Sequence, residues 1–448
     1  MSAASKTRRR TVHYAWVVAG VTFFTLLAAA GGRAAPGVML LPLGNEFQWS
    51  RATVSSIVSV NIFLYGLIGP FAAALYQSLG LRRSMLVAMT LVGAGYGLSA
   101  LATHYWQFLL LWGVVVGVGS GMAATVLGAA VANRWFHERR GLVMGLLTAS
   151  TATGQLVFLP WLASVVTRHG WRGAPLVVAA AAAVTLPVIA WFMRDRPEDV
   201  GAHAYGDPRG RPAPQPATSE NEPYPAANDE RTPAAAARRN NPARQALSVL
   251  SEAVRVRDFW LLAGSFFVCG ASTNGLIGTH LVSAGVDCGL PEVRSASLLA
   301  LMGMFDLAGT TASGWLSDRC SARRLLFFYY GLRGVSLLFL PQALAEASGG
   351  LLVFAVFYGL DWIATVPPTV RLTADRFGRE RAGIVFGWIV AAHQLGASCA
   401  AYLAGWLRTT TGAYTLAFVS AGALCLIAAL GVQTIGRGRR AIADAAPA

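Results

Sequence analysis

The fold of this chain is decided by a stretch that occurs twice, at Gly314–Arg324 (GWLSDRCSARR) and at Ala73–Arg83 (AALYQSLGLRR). A second pair, Glu380–Gly387 (ERAGIVFG) and Glu138–Gly145 (ERRGLVMG), repeats at nearly the same spacing. The copies lie 241 and 242 positions apart, and each adjoins a long apolar run. Two independent matches in one register predict a chain made of two copies of one membrane unit.

The composition is that of a membrane protein. Hydrophobic residues make up 55% of the chain and charged residues 13%, with a mean hydropathy of +0.50, whereas soluble domains carry about 25% charged residues. Segments of about 20 apolar residues cross the hydrocarbon layer, and there they must be helical. We therefore expect an all-α membrane protein with twelve transmembrane helices arranged as two six-helix pseudo-repeats. The predicted spans are about 14–43, 53–76, 84–103, 106–132, 142–166, 174–193, 258–284, 294–316, 325–346, 351–374, 383–406 and 413–435.

The basic residues predict the orientation of these spans. The net charge is +15, with 36 basic residues in all. If the N-terminus is cytoplasmic, only five basic residues fall at external ends of spans, and two, Arg33 and Arg333, fall inside spans. This positive-inside bias predicts a multi-pass protein of the inner (plasma) membrane with both termini in the cytoplasm, and it explains the positive charge without a nucleic-acid partner.

A change of composition separates the two halves. Nine of the 20 prolines lie between Pro197 and Pro242, in a stretch with too little apolar surface to fold alone. A short amphipathic helix is expected near Gln245–Val256. The five cysteines show no paired spacing, so neither a disulfide framework nor a metal site is indicated. The predicted organisation is a cytoplasmic N-terminus (1–13), a first six-helix bundle (14–194), a disordered cytoplasmic linker (195–257), a second bundle (258–436) and a cytoplasmic tail (437–448).

Six helices, a polar loop and six more helices resemble the major facilitator superfamily. The repeats lie where that family has its signature G-x-L-x-D-R-x-G-x-R-R, after the second and eighth helices. Gly314–Arg324 fits this signature except for Ser321, whereas the other copy has Ala73 and Gln77 in place of the glycine and the aspartate. The resemblance covers essentially the whole chain and implies the major facilitator fold.

Four further segments are similar to the monocarboxylate transporter and oxalate/formate exchanger branch of that superfamily. This resemblance implies secondary transport of a small organic anion, without a cofactor and without enzymatic activity. The segments are Trp135–Gly145 (WFHERRGLVMG), Gly170–Gly173 (GWRG), Asp195–Gly201 (DRPEDVG) and Phe305–Ala308 (FDLA).

Ionisable residues inside a membrane are costly, about 2.5–3.5 kcal/mol each on insertion scales, and therefore mark candidate sites. Arg33 lies well inside the first span, where the resembled family carries a basic residue. A guanidinium group grips a carboxylate with two hydrogen bonds, which suits an organic-anion site. The alternative is that Arg33 reaches the external interface and binds lipid phosphate or water.

Two acids are candidates for proton coupling. Asp306 precedes Asp318 by twelve residues, about 18 Å along a helix, and is therefore near the middle of the membrane. The arginine that the resembled family has one turn later is replaced by Thr310. The second acid, Asp361 in the tenth span, either relays a proton or pairs with Arg333. Arg333 itself either contacts substrate or forms a helix-to-helix ion pair.

Other polar residues on predicted cavity helices are candidate substrate contacts, with ordinary packing as the alternative. They are Gln155, Asn274, His280 and His393.

Gating is expected from two features. Pro367 and Pro368 should bend or break the tenth helix, because proline lacks a backbone N–H. In the resembled superfamily, the signature loops lock the two halves together when the transporter faces outward. The residues that match those loops here are Glu138, Arg139, Asp318, Arg319, Arg323, Arg324, Glu380 and Arg381.

Together these features predict a monomeric, proton-coupled symporter of a small organic anion, with a monocarboxylate as the favoured substrate and the lipid bilayer as its surroundings. Two alternatives of the same fold remain. An oxalate/formate-type exchanger is less favoured, because that group carries an arginine on helix 8 and a lysine on helix 11, whereas Lys6 is the only lysine here. A drug or metabolite efflux transporter is less favoured because the fifth span lacks the G-x-x-x-G-P-x-x-G-G pattern of many drug antiporters.

Overall fold

A computed structural model describes residues 13–207, 242–346 and 349–436. In this described part the prediction of an all-helical membrane protein is confirmed: twelve long helices, α1–α12, follow the predicted spans, and all but α3 are long and apolar enough to cross a membrane. The first turn of α3 carries Arg82 and Arg83, which lower its apolarity. The helices are α1 (Tyr14–Phe47), α2 (Arg51–Ser78), α3 (Leu81–Ser99), α4 (Tyr105–Trp135), α5 (Arg140–His169), α6 (Gly173–Phe192), α7 (Arg257–Asp287), α8 (Glu292–Arg319), α9 (Ala322–Glu346), α10 (Gly350–Phe377), α11 (Arg379–Thr411) and α12 (Thr415–Val432).

The helices form two halves, α1–α6 and α7–α12. One apolar cluster fills the first half and extends to Val282 and Ala296 of the second, and two further clusters fill the second half. The halves meet where α2 packs on α11 and α5 packs on α8. Glycines permit the close approach of α2 and α11: a Cβ at Gly66 would lie 2.2 Å from Cβ of Gln394, and one at Gly405 would lie 2.2 Å from Oγ of Ser55. We call the end of the bundle with the α1–α2 and α7–α8 connections the Arg51 end, and the opposite end the Asp318 end.

The predicted break in α10 is confirmed. A first segment ends at Asp361, and a second begins at Val366, directly followed by Pro367 and Pro368. Helix α7 contains a wider π-helical turn, Ala271–Ile277, a distortion that is frequent at functional sites.

The prediction of a disordered linker needs correction at both ends. Residues 195–207 are ordered, because the N–H of Tyr205 donates to the carbonyl of Trp135 at 2.8 Å and its carbonyl accepts from the N–H of His137 at 2.8 Å. The expected amphipathic helix is present as Pro242–Ala253, which we call the linker helix; it packs on α2 and α11. Residues 1–12, 208–241, 347–348 and 437–448 lie outside the described part, and with them most of the predicted N-terminal and C-terminal segments.

Candidate functional site

The position of Arg33 is set by the close packing of α1 against its neighbours. The two preceding glycines allow this packing: a Cβ at Gly31 would lie 2.8 Å from the ring of Phe158 on α5, and one at Gly32 would lie 3.0 Å from the ring of Tyr96 on α3. The Tyr96 hydroxyl also donates to the carbonyl of Gly32. Arg33 is thereby held in a fixed position on α1, partly buried.

Only some of the hydrogen-bond donors of the Arg33 guanidinium group have a partner. Its Nη1 donates to the Tyr65 hydroxyl at 3.1 Å, and its Nε is buried without a hydrogen-bond partner. Among the described residues no carboxylate lies within ion-pair distance of it. Tyr65 therefore binds Nη1 of the guanidinium group, while Nε and Nη2 remain available to bind a carboxylate.

Three helices that carry predicted site residues converge at one point. A Cβ at Gly37 of α1 would lie 3.2 Å from the carbonyl of Gly278 on α7 and 3.9 Å from Cδ1 of Leu159 on α5. These contacts join α1 and α5 of the first half to α7 of the second half, so the point lies at the interface between the halves.

Arg33, Gln155 and Asn274 each lie one helical turn from that point. They precede Gly37, Leu159 and Gly278 by four residues, and α1, α5 and α7 all run toward the Arg51 end. Since residues four apart on an α-helix share a face, Arg33 and Gln155 lie in one layer about 6 Å closer to the Asp318 end, and Asn274, in the wider turn of α7, lies at about the same level. The side-chain amides of Gln155 and Asn274 make no hydrogen bond with another described residue, so both can bind a substrate.

The two predicted histidines lie away from this layer. His280 is fully buried, with Nε2 2.8 Å from the carbonyl oxygen of Ala401 and Nδ1 3.2 Å from the Tyr414 hydroxyl oxygen. Both ring nitrogens of His280 are thus used within the second half, which favours the packing alternative for this residue. The carbonyl of His393 packs against Gly270, one turn from Asn274 toward the Asp318 end, and its ring contacts Phe266.

The break in α10 follows from its two prolines, and its free carbonyls are satisfied locally. The Pro367–Pro368 pair has no N–H to give to the carbonyls of Ile363 and Ala364. The N–H of Val366 donates to Ile363 at 2.9 Å instead, and the hydroxyl of Ser313 on α8 donates to Ala364 at 2.6 Å. The break is thus held partly by a neighbouring helix.

Arg333 of α9 fills the other side of the break. Its Nε donates to the Asp361 carboxylate at 2.7 Å, and its Nη2 donates to the carbonyls of Asp361 at 2.5 Å and Trp362 at 3.2 Å. Its Nη1 donates to Sγ of Cys269 on α7 at 2.9 Å. Arg333 is only 1% exposed, so the structure supports the ion-pair alternative for this residue rather than substrate contact.

Asp306 of α8 caps the same break. Its Oδ1 accepts from the N–H of Ile363 and from the Thr310 hydroxyl, both at 2.9 Å. Gly309 permits this contact, since a Cβ there would lie 1.8 Å from the carbonyl oxygen of Leu360. The carboxyl group of Asp306 is therefore connected directly to the backbone of α10, and it lies in the protein interior with 4% exposure.

We expect Arg333→Met to destabilise the protein by about 3–5 kcal/mol, because it leaves the buried carboxylate of Asp361 without its cation and two carbonyls of the break without a donor. The measurement is thermal unfolding of the purified protein in detergent. In the double variant Arg333→Met/Asp361→Leu, the loss should be smaller than in the single variant, since no unpaired charge remains. Equal losses in the two variants would contradict the importance of the charge pair.

Among the described residues, the four signature residues of the α8–α9 loop, Asp318, Arg319, Arg323 and Arg324, form no ion pair with one another. Asp318 and Arg324 are exposed, and within the described residues Asp318 forms no ion pair. Arg319 stacks on Trp315 with 4.2 Å between its Cζ and the ring centroid, and Nη1 of Arg323 donates to the carbonyl of Ile435 at 2.9 Å.

Three other signature residues, Arg381, Glu138 and Arg139, contact the two ordered ends of the linker. Arg381 pairs with Glu252 of the linker helix at 2.5 Å. The side chain of Glu138 packs at Gly206, and the guanidinium group of Arg139 lies 6.0 Å from the ring centroid of Tyr205. The side chain of Glu380 lies outside the described part.

Sequence reasoning missed Tyr65 and the contacts of the Arg51 end. Tyr65 is an aromatic residue in an apolar span, which no sequence pattern distinguishes from a packing residue. Asp287 lies between Arg51 and Arg408, at 3.9 Å and 2.7 Å respectively. Each of these three is a charged residue at the end of a span, where charge is ordinary.

The comparisons with known proteins agree on the family. The Major Facilitator Superfamily profile matches residues 22–398 and 296–441. Monocarboxylate transporter 13 of Rattus norvegicus is 28% identical over 422 residues, covering 92% of this chain and 87% of that protein. Monocarboxylate transporter 11 of Homo sapiens is 26% identical over 428 residues, covering 92% and 81%.

One more distant sequence relative and one solved structure extend the comparison. An uncharacterised transporter of the same superfamily, YcxA of Bacillus subtilis, is 22% identical over 406 residues and covers 90% of each chain. The crystal structure of a D-xylose–proton symporter superposes with a TM-score of 0.69 at 15% identity, covering 94% of this chain and 98% of that one. The profile, the repeated signature loops and the two six-helix halves establish that this multi-pass membrane chain belongs to the Major Facilitator Superfamily and is related to its monocarboxylate transporters.

Proposed function

We propose that this protein is a proton-coupled symporter of a small organic anion, with a monocarboxylate as the favoured substrate. The observation that carries the proposal is the guanidinium group of Arg33, which lies inside the membrane with a buried, unpartnered Nε and no nearby carboxylate. A cation kept without a counter-ion in this environment is costly unless an anion completes the site. The similarity to proteins named monocarboxylate transporters supports a carboxylate as that anion.

The layer around Arg33 suits a small carboxylate. In this proposal Nε and Nη2 bind the two carboxylate oxygens side by side, while Tyr65 fixes the plane of the guanidinium group. The amides of Gln155 and Asn274 lie in the same layer and can donate to a keto or hydroxyl oxygen beside the carboxylate. Binding at the interface between the halves lets the substrate influence how they move relative to each other.

Proton coupling is assigned to Asp306 and, through its pairing with Arg333, to Asp361. A proton on Asp306 compensates the negative charge of the bound substrate, so that the loaded protein carries no extra charge through the membrane. Since the same carboxyl group caps the break at Ile363, a change in its protonation also changes how α10 is held. Pro367 and Pro368 keep that break in place and act as the pivot of the second half.

The Asp318 end is assigned to the cytoplasm, with both chain termini on that side and a monomer as the functional unit. Asp318, Arg319, Arg323 and Arg324 are proposed to lock the halves when the site faces outward, together with Glu138, Arg139, Glu380 and Arg381. In the present structure Asp318 is exposed, which fits a conformation in which this lock is not engaged. Since Gln77 stands at the matching position of the first half, the lock carries charge on one side only.

The test is counterflow into proteoliposomes with a panel of labelled compounds. Lactate and pyruvate represent monocarboxylates, oxalate and formate the exchanger alternative, a pentose the neutral substrates, and an organic cation the efflux alternative. We expect counterflow of the monocarboxylates and none of the pentose or the cation. Transport of the cation alone would overturn the anion proposal, and obligatory exchange of oxalate for formate would replace symport by exchange.

Tyr65→Phe should raise KM for the transported carboxylate about fivefold with a smaller effect on kcat, because it removes one hydrogen bond that orients Arg33, worth about 1 kcal/mol. The measurement is the concentration dependence of initial uptake rates. Tyr105→Phe is the matched control, since this tyrosine bonds Ser56 near the Arg51 end, away from Arg33. An unchanged KM in Tyr65→Phe would contradict the orienting role.

A further inference from the structure

The Arg51 end contains an ionic contact that joins the two halves. Asp287, the last residue of α7, accepts from Nε of Arg408 of α11 through its Oδ2 at 2.7 Å. Its Oδ1 lies 3.9 Å from Nη2 of Arg51, the first residue of α2. Arg408 and Asp287 belong to the second half and Arg51 to the first. We call this set the Asp287 bridge.

A second polar contact at the same end also crosses between the halves. The N–H of Ala52 donates to the hydroxyl of Thr409 at 3.1 Å. This N–H is one of the unsatisfied donors of the first turn of α2, so the helix start is capped in part by the other half.

The packing below this end is continuous. Ser59 of α2 and Ser398 of α11 bond each other through both hydroxyls and both carbonyls, each at 2.9 Å. The next turns toward the Arg51 end bring Ser55 against Gly405. The Asp287 bridge therefore closes the outermost turn of one continuous seam between α2 and α11.

The contact is specific to the interface between the halves. Among the described residues, the remaining ion pairs lie within one half, as Arg172–Glu46 and Arg333–Asp361 do, or join the linker helix to α11. All three members of the bridge are partly buried, with exposed side-chain fractions of 17%, 22% and 27% for Arg51, Asp287 and Arg408. The bridge is therefore less screened than a fully exposed pair.

We infer that the Asp287 bridge is a gate at the Arg51 end, opposite to the signature loops, and that it favours the conformation in which α2 and α11 are joined there. When this end opens, Arg51 moves away with the first half, Asp287 stays with Arg408, and the N–H of Ala52 loses its partner. The energy that the bridge contributes is thus present in one conformation only, which is the condition for a contact to shift an equilibrium between two states.

The experiment measures the opening of this end directly. Spin labels are attached to Gln48→Cys, before α2, and Ala413→Cys, before α12, both of which are exposed and lie in different halves. The exposed thiols Cys288, Cys320 and Cys399 are replaced by serine, and the buried Cys269 and Cys425 are kept. The distance distribution is recorded by pulsed EPR on the full-length protein in lipid bilayers without substrate.

We expect Asp287→Asn and Arg51→Gln each to increase the ratio of the long-distance to the short-distance population by about two- to fivefold. In the double variant this ratio should increase no more than in the stronger single variant, because both substitutions remove the same interaction. The matched control is Arg172→Gln, which removes an ion pair of 2.6 Å at the same end but within one half, and it should leave the distribution unchanged.

The proposal is overturned if Asp287→Asn and Arg51→Gln both keep the wild-type distribution, or if Arg172→Gln changes it equally. If Asp287→Asn does not fold, the distance distribution of Arg51→Gln alone tests the proposal, since Arg51 is the member of the bridge that belongs to the first half. The readout uses no substrate and no transport, so it is independent of the carboxylate assignment.

Discussion

Arg33→Gln is expected to lower kcat/KM for carboxylate uptake by about 100-fold. The change removes a side-on pair of charge-assisted hydrogen bonds, each worth about 1.5–3 kcal/mol, and 2.7 kcal/mol corresponds to a factor of about 100. Glutamine keeps a polar, unbranched side chain that is shorter than that of arginine, so that it does not disturb the packing of α1 at Gly31 and Gly32. The measurement is the initial rate of labelled monocarboxylate uptake into proteoliposomes across a range of concentrations.

Two controls separate binding from folding for this variant. Arg172→Gln removes an arginine that pairs with Glu46 at the Arg51 end, and we expect its uptake to remain close to wild type. Arg33→Lys keeps the charge but loses the planar fork, so that its activity should lie between those of wild type and Arg33→Gln. Wild-type uptake in Arg33→Gln would exclude Arg33 from the site and favour the interface alternative, in which it binds lipid or water.

Asp306→Asn is expected to abolish accumulation driven by a proton gradient while preserving exchange. With an inward gradient of about one pH unit, one-to-one symport accumulates an anion up to about tenfold, since one pH unit corresponds to about 1.4 kcal/mol. A variant that cannot carry the proton should reach no accumulation. The measurement is the ratio of internal to external substrate at steady state, followed by exchange with labelled substrate in the absence of a gradient.

The geometry makes this substitution a clean test. The amide oxygen of asparagine can still accept from the N–H of Ile363 and from Thr310, so the cap on the α10 break is retained. Asp306→Ala removes the cap as well and should impair both accumulation and exchange. If Asp306→Asn loses exchange to the same extent as accumulation, or loses neither, Asp306 is not the proton carrier.

The fold could be predicted because its signals are local and repeated. Spans of apolar residues, the pair of signature loops and the change of composition at residue 195 are each visible in the sequence. The break in α10 was equally predictable, since Pro367 and Pro368 remove hydrogen bonds in any surroundings. The ordered ends of the linker were not, because they depend on Tyr205 and the linker helix finding partners on distant helices.

The candidate site could be predicted only where chemistry limits the options. Arg333 and Asp361 are isolated charges in apolar spans, so pairing them was one of few arrangements with a low free-energy cost. The partner of Asp306 is a backbone N–H of α10, which depends on the rotation and depth of two helices and leaves no trace in composition. The packing partners of His280 could not be predicted for the same reason: a helix in a bundle has several buried faces, and the sequence does not say which one meets the cavity.

Proton movement that accompanies carboxylate entry tests the central claim most directly. Proteoliposomes that contain a pH indicator, with equal pH on both sides, receive external lactate or pyruvate while internal pH is recorded. We expect rapid internal acidification with the wild-type protein, and only the slow permeation of undissociated acid with Arg33→Gln or with protein-free liposomes. Uptake of labelled substrate without acidification beyond that of protein-free liposomes would contradict proton-coupled symport.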